Sequence, residues 1–211
     1  MRHEMLDTIT LDTIPLDTIR TMRSNGSDGE DIAAAVGIPS ARGANMFALI
    51  FPTVVVKWTK DNAPFHTSAG TDVQFYDSVE MQDRQHFAYC SQEGDLIVQE
   101  RCVELSKISY KFGNMTHAQQ KATILIWLDM ALRYNLYDLH EFNVGFRMND
   151  DSLSTPVIFD YSGQRNLSGV YAMDGSDRVE GYLNLPCWLC HEPAEIRRLL
   201  REAIDAFYAD N

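Results

Sequence analysis

Tyr137-Asp138-Leu139-His140-Glu141-Phe142-Asn143-Val144-Gly145, followed by Pro156-Val157-Ile158-Phe159-Asp160-Tyr161-Ser162-Gly163, is the stretch on which the reading of this chain turns. An Asp stands five residues before an Asn, and a second Asp comes seventeen residues later, at the end of an apolar run. Asp and Asn are ordinary turn formers, so each of them alone carries little meaning. The meaning comes from the ordered set, and from what lies on either side of it.

Immediately upstream, a helix is predicted from Thr116 to Arg133. Thr116 can cap it, and Ile124, Leu125, Leu128, Ala131 and Leu132 recur at helical spacing. Short strands are predicted around Val144–Met148 and Val157–Phe159, so the Asp and Asn fall in a loop between a long helix and a strand. Further back, Val54, Val55 and Val56 form a β-branched run that reads as a buried strand, with Lys57 directly after it. Then come a polar loop over 59–70 and a helix over 71–82 with Val73, Tyr76 and Val79. Phe87–Cys90 and Leu96–Val98 read as strands joined by Gln92-Glu93-Gly94-Asp95. Downstream, a last helix starts near Pro193, its stripe being Ile196, Leu199, Leu200, Ala203, Ile204 and Phe207.

The set Lys57, Asp138, Asn143 and Asp160, in this order on strand, loop and strand end, resembles the protein-kinase-like superfamily in its Asp-Leu-His-x-x-Asn-x-Gly form, common among divergent microbial and phage members. The compact early-acting serine/threonine kinases of T7-like phages are nearest in pattern. The resemblance covers about residues 40–165. It implies an α+β, two-lobed protein-kinase-like fold with a small N-terminal β-rich lobe and a shortened C-terminal lobe. The lobes expected are 32–103 and 104–211, behind an arm over 1–31.

The resemblance also implies ATP and Mg²⁺ as cofactors. Asp138 would align and deprotonate an acceptor hydroxyl, while Asn143 and Asp160 would hold Mg²⁺ against the phosphates. Lys57 would clamp the phosphates, supported by Asp72, with Glu80 as the alternative acid. Backbone groups near Glu100 to Cys102 would meet adenine, and Gly37 and Gly43 would belong to the phosphate loop. His140 is expected to orient the loop by hydrogen bonding. The partner implied is a protein substrate with a Ser or Thr hydroxyl, a host protein if the chain is phage-encoded, and a homodimer is an open arrangement. The expected place is the cytoplasm, the host's if phage-encoded.

The chain departs from the family's pattern in several places. Ser40, Ala41 and Ala44 fill the turn where glycines are usual, and small residues admit phosphate less freely than glycine does. Leu136 stands where the family has His, and Asp160-Tyr161-Ser162 replaces Asp-Phe-Gly. Only 51 residues come after Asp160, too few for the family's full substrate-docking helices. These departures keep open a catalytically silent pseudokinase that binds nucleotide or protein.

A second alternative is a helix-turn-helix DNA-binding regulator built on residues 16–49. In it, a helix ending at Gly37 would be succeeded by another. The competing reading of this segment is a small-residue turn between two strands. Residues 1–44 carry seven acids against four basic groups, a poor surface for DNA. The net charge of −12 argues against non-specific nucleic-acid binding altogether, since that runs on phosphate neutralisation.

Leu-Asp-Thr-Ile recurs at 6–9, 11–14 and 16–19, with Pro15 inside the run. A five-residue period fits neither helix nor strand, and three copies are too few for a solenoid, so 1–31 is read as a poorly ordered arm or partner-binding tail. No run of 18 apolar residues exists, so no membrane span is expected. Cys90, Cys102, Cys187 and Cys190 are expected as reduced thiols. Cys187-Trp188-Leu189-Cys190-His191 has the form of a haem-attachment motif or half a zinc site. Two semi-buried structural thiols near Trp188 are the favoured reading.

Overall fold

The structure, a computed structural model, describes residues 13–43, 46–60, 70–136, 139–149, 152–161 and 185–210. It is mixed α+β with antiparallel sheets. The chain forms two compact units, one of residues up to Gln74 together with Tyr89–Arg101, the other of Phe75–Ala88 together with residues from Cys102 on.

Among the described residues, the first unit holds a five-stranded antiparallel sheet. In chain order its strands are β1 (Ser40–Arg42), β2 (Met46–Ile50), β3 (Val54–Thr59), β4 (Cys90–Glu93) and β5 (Leu96–Glu100), arranged β1-β2-β3-β5-β4. The β-branched run of β3 makes it a central strand. Val54, Val56 and Trp58 are buried while Val55, Lys57 and Thr59 alternate with them at half burial. Phe47 and Leu49 of β2 and Leu96 and Val98 of β5 join the same cluster.

Two helices and the residue ahead of them complete that cluster: Ile14, then α1 (Leu16–Ser24) through Ile19 and α2 (Gly29–Val36) through Ile32 and Ala33. The expected poorly ordered arm over 1–31 therefore differs from the structure at 13–31. The third Leu-Asp-Thr-Ile copy forms the first turn of α1, and Pro15 stands in front of that helix and does not interrupt it. Residues 1–12 lie outside the described residues. Asp28 caps α2 by accepting the Asp31 N–H at 2.8 Å, and Gly37 ends it at φ 67°. Arg20 donates to the Glu93 carbonyl at 2.8 Å and Arg23 pairs with Asp95, tying α1 to the β4–β5 turn. Gly37 leads into β1 and not into a second helix, which corrects the helix-turn-helix expectation and favours the two-strand reading. Gly37 likewise belongs to a helix end and not to a phosphate loop.

The second unit is built on α5 (His117–Tyr134), entered after the short α4 (Ser109–Gly113). Thr116 and Gln119 form a reciprocal cap: Thr116 Oγ1 accepts the Gln119 N–H at 3.3 Å, and Gln119 Oε1 accepts the Thr116 N–H at 2.9 Å. Ile124, Trp127, Leu128 and Ala131 give its buried face, and Asn135 at φ 57° closes it. Beside it lies a three-stranded sheet in the order β6-β7-β8, made of β6 (Val103–Glu104), β7 (Val144–Asn149) and β8 (Ser152–Ile158). The strand expected over 157–159 starts earlier, at Ser152, and ends before Phe159. The last helix, α6 (Pro193–Asp210), buries Ile196, Leu200 and Ile204.

Residues 75–88, expected in the first lobe, fold with this second unit, and the boundary expected at 103/104 falls at 101/102. The reason is aromatic packing. Phe75, Phe87, Tyr134 and Tyr161 form a ring cluster with centroids 4.7–6.1 Å apart. The Ala88 N–H donates to Ile158 O at 2.9 Å, and the Tyr161 hydroxyl donates to Ala88 O at 3.1 Å. Asp83, buried, accepts from Arg133 at 2.7 Å and from the Tyr134 hydroxyl at 2.8 Å. No described helix is long and apolar enough to cross a membrane.

Candidate functional site

In the second unit the long helix delivers the chain into the loop through Leu136 and Leu139, both fully buried on either side of residues 137–138. Asp138 itself lies outside the described residues. The loop then turns tightly: the Asn143 N–H donates to His140 O at 2.9 Å, and the Phe142 N–H donates to His140 Nδ1 at 3.2 Å. Asn143 is buried, with its amide Nδ2 3.2 Å from His140 Nε2. The expectation that His140 orients the loop by hydrogen bonding matches these contacts.

Asn143 immediately precedes β7, and Asp160 comes after β8. In the hairpin register Val144 faces Ile158, and one step further the Phe159 N–H donates to Asn143 O at 3.2 Å. Two residues seventeen apart in the chain thus reach the same end of one hairpin. Asp160 is exposed and Asn143 buried, so that end carries a solvated carboxylate and a sheltered amide. Both are oxygen donors, the type a hard divalent cation takes. Gly145, the last residue of the motif, has a plain reason: a Cβ there would drive into the Val103 carbonyl of β6.

The first unit carries most of the other expected residues. Lys57 sits mid-strand, opposite Ala48 on one side and Ile97 on the other, on the face of β3 away from the apolar cluster. Asp72 is in the first turn of α3 (Gly70–Ser78) and is buried, where a helix-surface acid would be solvated. Glu80, the alternative, lies past the end of α3 and belongs to the second unit; it is exposed, and its N–H donates to the Tyr134 hydroxyl of that same unit at 3.0 Å. Gly43 stands at the β1–β2 turn, where its N–H donates to Met46 O at 3.0 Å and its carbonyl accepts from Lys60.

At the expected hinge, two groups of Glu100 are engaged within the first unit. Its N–H donates to Tyr89 O at 2.8 Å, and its carboxylate accepts the Tyr89 N–H at 3.1 Å. The Arg101 N–H donates to Thr53 O at 3.0 Å. The Glu100 N–H is therefore taken, and Cys102, half-buried, belongs to the second unit. The structure places Asn143 and Asp160 at the same end of one hairpin. Lys57, Asp72, Gly43 and Glu100 belong to the first unit.

The Cys187/Cys190 pair is buried and free, while Trp188 is exposed. Burial pushes the Cys187 thiol up to about 11; burial, and then the charge of Cys187, push Cys190 up to about 12. Such thiols are poor nucleophiles and poor ligands. The His191 ring nitrogen Nε2 lies 3.0 Å from Met115 O. Among the described residues, one further group of ligand atoms gathers within 4.8 Å: His117, Glu192 and Glu195. The Lys121 ammonium already sits 4.0 Å from Glu195 there.

Motif reading missed two features. The exposed Phe142, its ring 5.6 Å from that of His140, gives no signal in a pattern that treats its position as variable. Leu136 and Leu139 as anchors were open to view as an apolar pair flanking the Asp. Compared with known proteins, the chain matches no family model, no curated protein and no solved structure.

Proposed function

We propose that the chain is an ATP- and Mg²⁺-dependent phosphotransferase of protein-kinase-like fold, acting on Ser or Thr hydroxyls of proteins. The observation that supports the reading is the position of Asn143 and Asp160 at the same end of one hairpin, later in the chain than a mid-strand Lys57. In this reading the two oxygen donors would hold Mg²⁺, which when bound would neutralise charge on the transferring phosphate. Lys57 would bind the ATP phosphates, with Asp72 as the acid that supports it. Asp138 would orient the acceptor hydroxyl and take its proton. Purified protein with labelled ATP, Mg²⁺ and a cell lysate tests this. Labelled bands that vanish with Asp160→Ala support it, and bands unchanged by that substitution defeat it.

A silent nucleotide-binding module is the second reading, and the Gly43 turn favours it. The one glycine there already donates its N–H to Met46, so the turn offers fewer amides to phosphate than a glycine-rich loop. ATP that raises the melting temperature equally in wild type and Asp138→Ala, with no phosphate transfer by either, would select this reading.

A further inference from the structure

We propose that His117, Glu192 and Glu195 form a site for a borderline divalent metal ion, Zn²⁺ by preference, which staples the start of α6 to the start of α5. One ligand atom from each residue lies within 4.8 Å of the other two, and all three residues belong to the second unit. The backbone holds them close before any ion does. His117 is the first residue of α5, directly after its Thr116 cap. Glu192 is where α6 begins, its carbonyl accepting the Ile196 N–H at 3.1 Å, and Glu195 falls in the first turn. Gln120, fully buried, locks the two starts together. Its Oε1 accepts the His191 N–H at 2.9 Å, and its Nε2 donates to Phe112 O at 2.9 Å. Only side-chain rotations are left to close the three ligands on an ion.

His117 Nε2 stands 3.5 Å from Glu195 Oε2. An N–H···O hydrogen bond is usually about 2.7–3.2 Å long. Ligands about 2.0–2.2 Å from a tetrahedral zinc stand roughly 3.4 Å apart, so the spacing suits two ligands of one ion better than a hydrogen-bonded pair. One imidazole beside two carboxylates selects zinc-like ions over Mg²⁺ and Ca²⁺, which take oxygen donors. Three protein ligands leave the fourth position to water. Charge then sets the affinity. Each helix start opposes a cation with about half a positive charge, which the two carboxylates outweigh. The Lys121 ammonium, 4.0 Å from Glu195 Oε1, brings the sum near zero and is the competitor an ion must displace. Among the described residues nothing pairs with His117 Nδ1, which is buried. The ring thus lacks the outer hydrogen bond whose loss weakens metal sites about 10–100-fold, so the ion is exchangeable.

Calorimetric titration of Zn²⁺ into the full chain, without chelator and with Mg²⁺ in excess, tests this. Wild type should bind one Zn²⁺ in a phase that His117→Ala, Glu192→Gln and Glu195→Gln each weaken about tenfold or more, no less than a lost supporting contact costs. Lys121→Met should bind about fivefold tighter, the Coulomb worth of one charge roughly 4 Å away in water. In wild type, Zn²⁺ should slow hydrogen exchange in the first turns of α5 and α6. Affinity unchanged by all three ligand substitutions overturns the proposal, as does a Lys121→Met chain that binds no tighter. Slowed exchange only elsewhere overturns it too, and this wild-type reading decides if a variant does not fold. Asp160→Ala separates the zinc site from the phosphotransferase reading. Its Zn²⁺ phase should match wild type, whatever happens to phosphate transfer, and loss of that phase would put the ion at the hairpin end and sink the staple.

Discussion

The two units hold their candidate groups in opposite ways. Lys57 stands in the middle of a central strand, paired on both sides, and a slip of one residue would turn Val54, Val56 and Trp58 out of the core. Its position is fixed by the whole sheet. Asn143 and Asp160 stand at the open end of a hairpin, held by one backbone bond from Phe159 and by the His140 turn. A cation site at a strand end can shift its amide without disturbing a core. A lysine inside a sheet cannot shift without unfolding one. The lesson is that these groups differ in what a mutation there costs: chemistry at the hairpin end, stability in the sheet.

The largest expected effect is on chemistry alone. Asp160→Ala, at an exposed position, should cut phosphate transfer about a thousandfold or more. Its melting midpoint should stay within about 2 °C of wild type, because exposed substitutions rarely matter to stability. A large thermal shift would mean that the hairpin end is part of the core, which would erase the contrast. Ile32→Ala, at a fully buried position on α2, should destabilise the first unit by about 3 kcal/mol in a urea titration. Hydrogen exchange should show the loss in residues of that unit.

Asp83→Ala should cost the second unit about 2 kcal/mol, since Arg133 and the Tyr134 hydroxyl each lose a hydrogen bond to a buried carboxylate. The same exchange experiment should show α5 loosening. Thr116→Ala removes half of the reciprocal cap and should cost about 1 kcal/mol, read as a lower melting temperature. The smallest effect is a pH tail. Burial raises both Cys187 and Cys190 above the usual 9.0 in the folded state. Their contribution is therefore complete below pH 9 and is lost as pH rises through about 11 to 12. Melting temperature against pH should fall less steeply above pH 9 in Cys187→Ala than in wild type.

Where side-chain period and chemistry agreed, the elements were legible. The β-branched run gave β3, the capped apolar periodicity gave α5, and Pro193 marked the start of α6. The loop signature led to Asn143 and Asp160 because their spacing is local to one hairpin. The hidden parts depended on contacts distant in sequence. Residues 13–31 look unpatterned because Ile14 and Ile19 join a core cluster most of whose members, Phe47, Val56 and Leu96 among them, are distant in sequence. Residues 75–88 leave the first unit because Phe75 and Phe87 find rings at 134 and 161. The Glu100 N–H, by contrast, is taken by Tyr89 O across a strand pair whose strands the sequence does announce, at Phe87–Cys90 and Leu96–Val98.

The helical pair ahead of β1 has a practical consequence. A shorter chain begun at Gly37 would leave Phe47, Leu49, Val56, Trp58 and Leu96 facing water as one greasy plate. Such a product would clump during purification, and trimming the amino end to sharpen crystals would defeat itself.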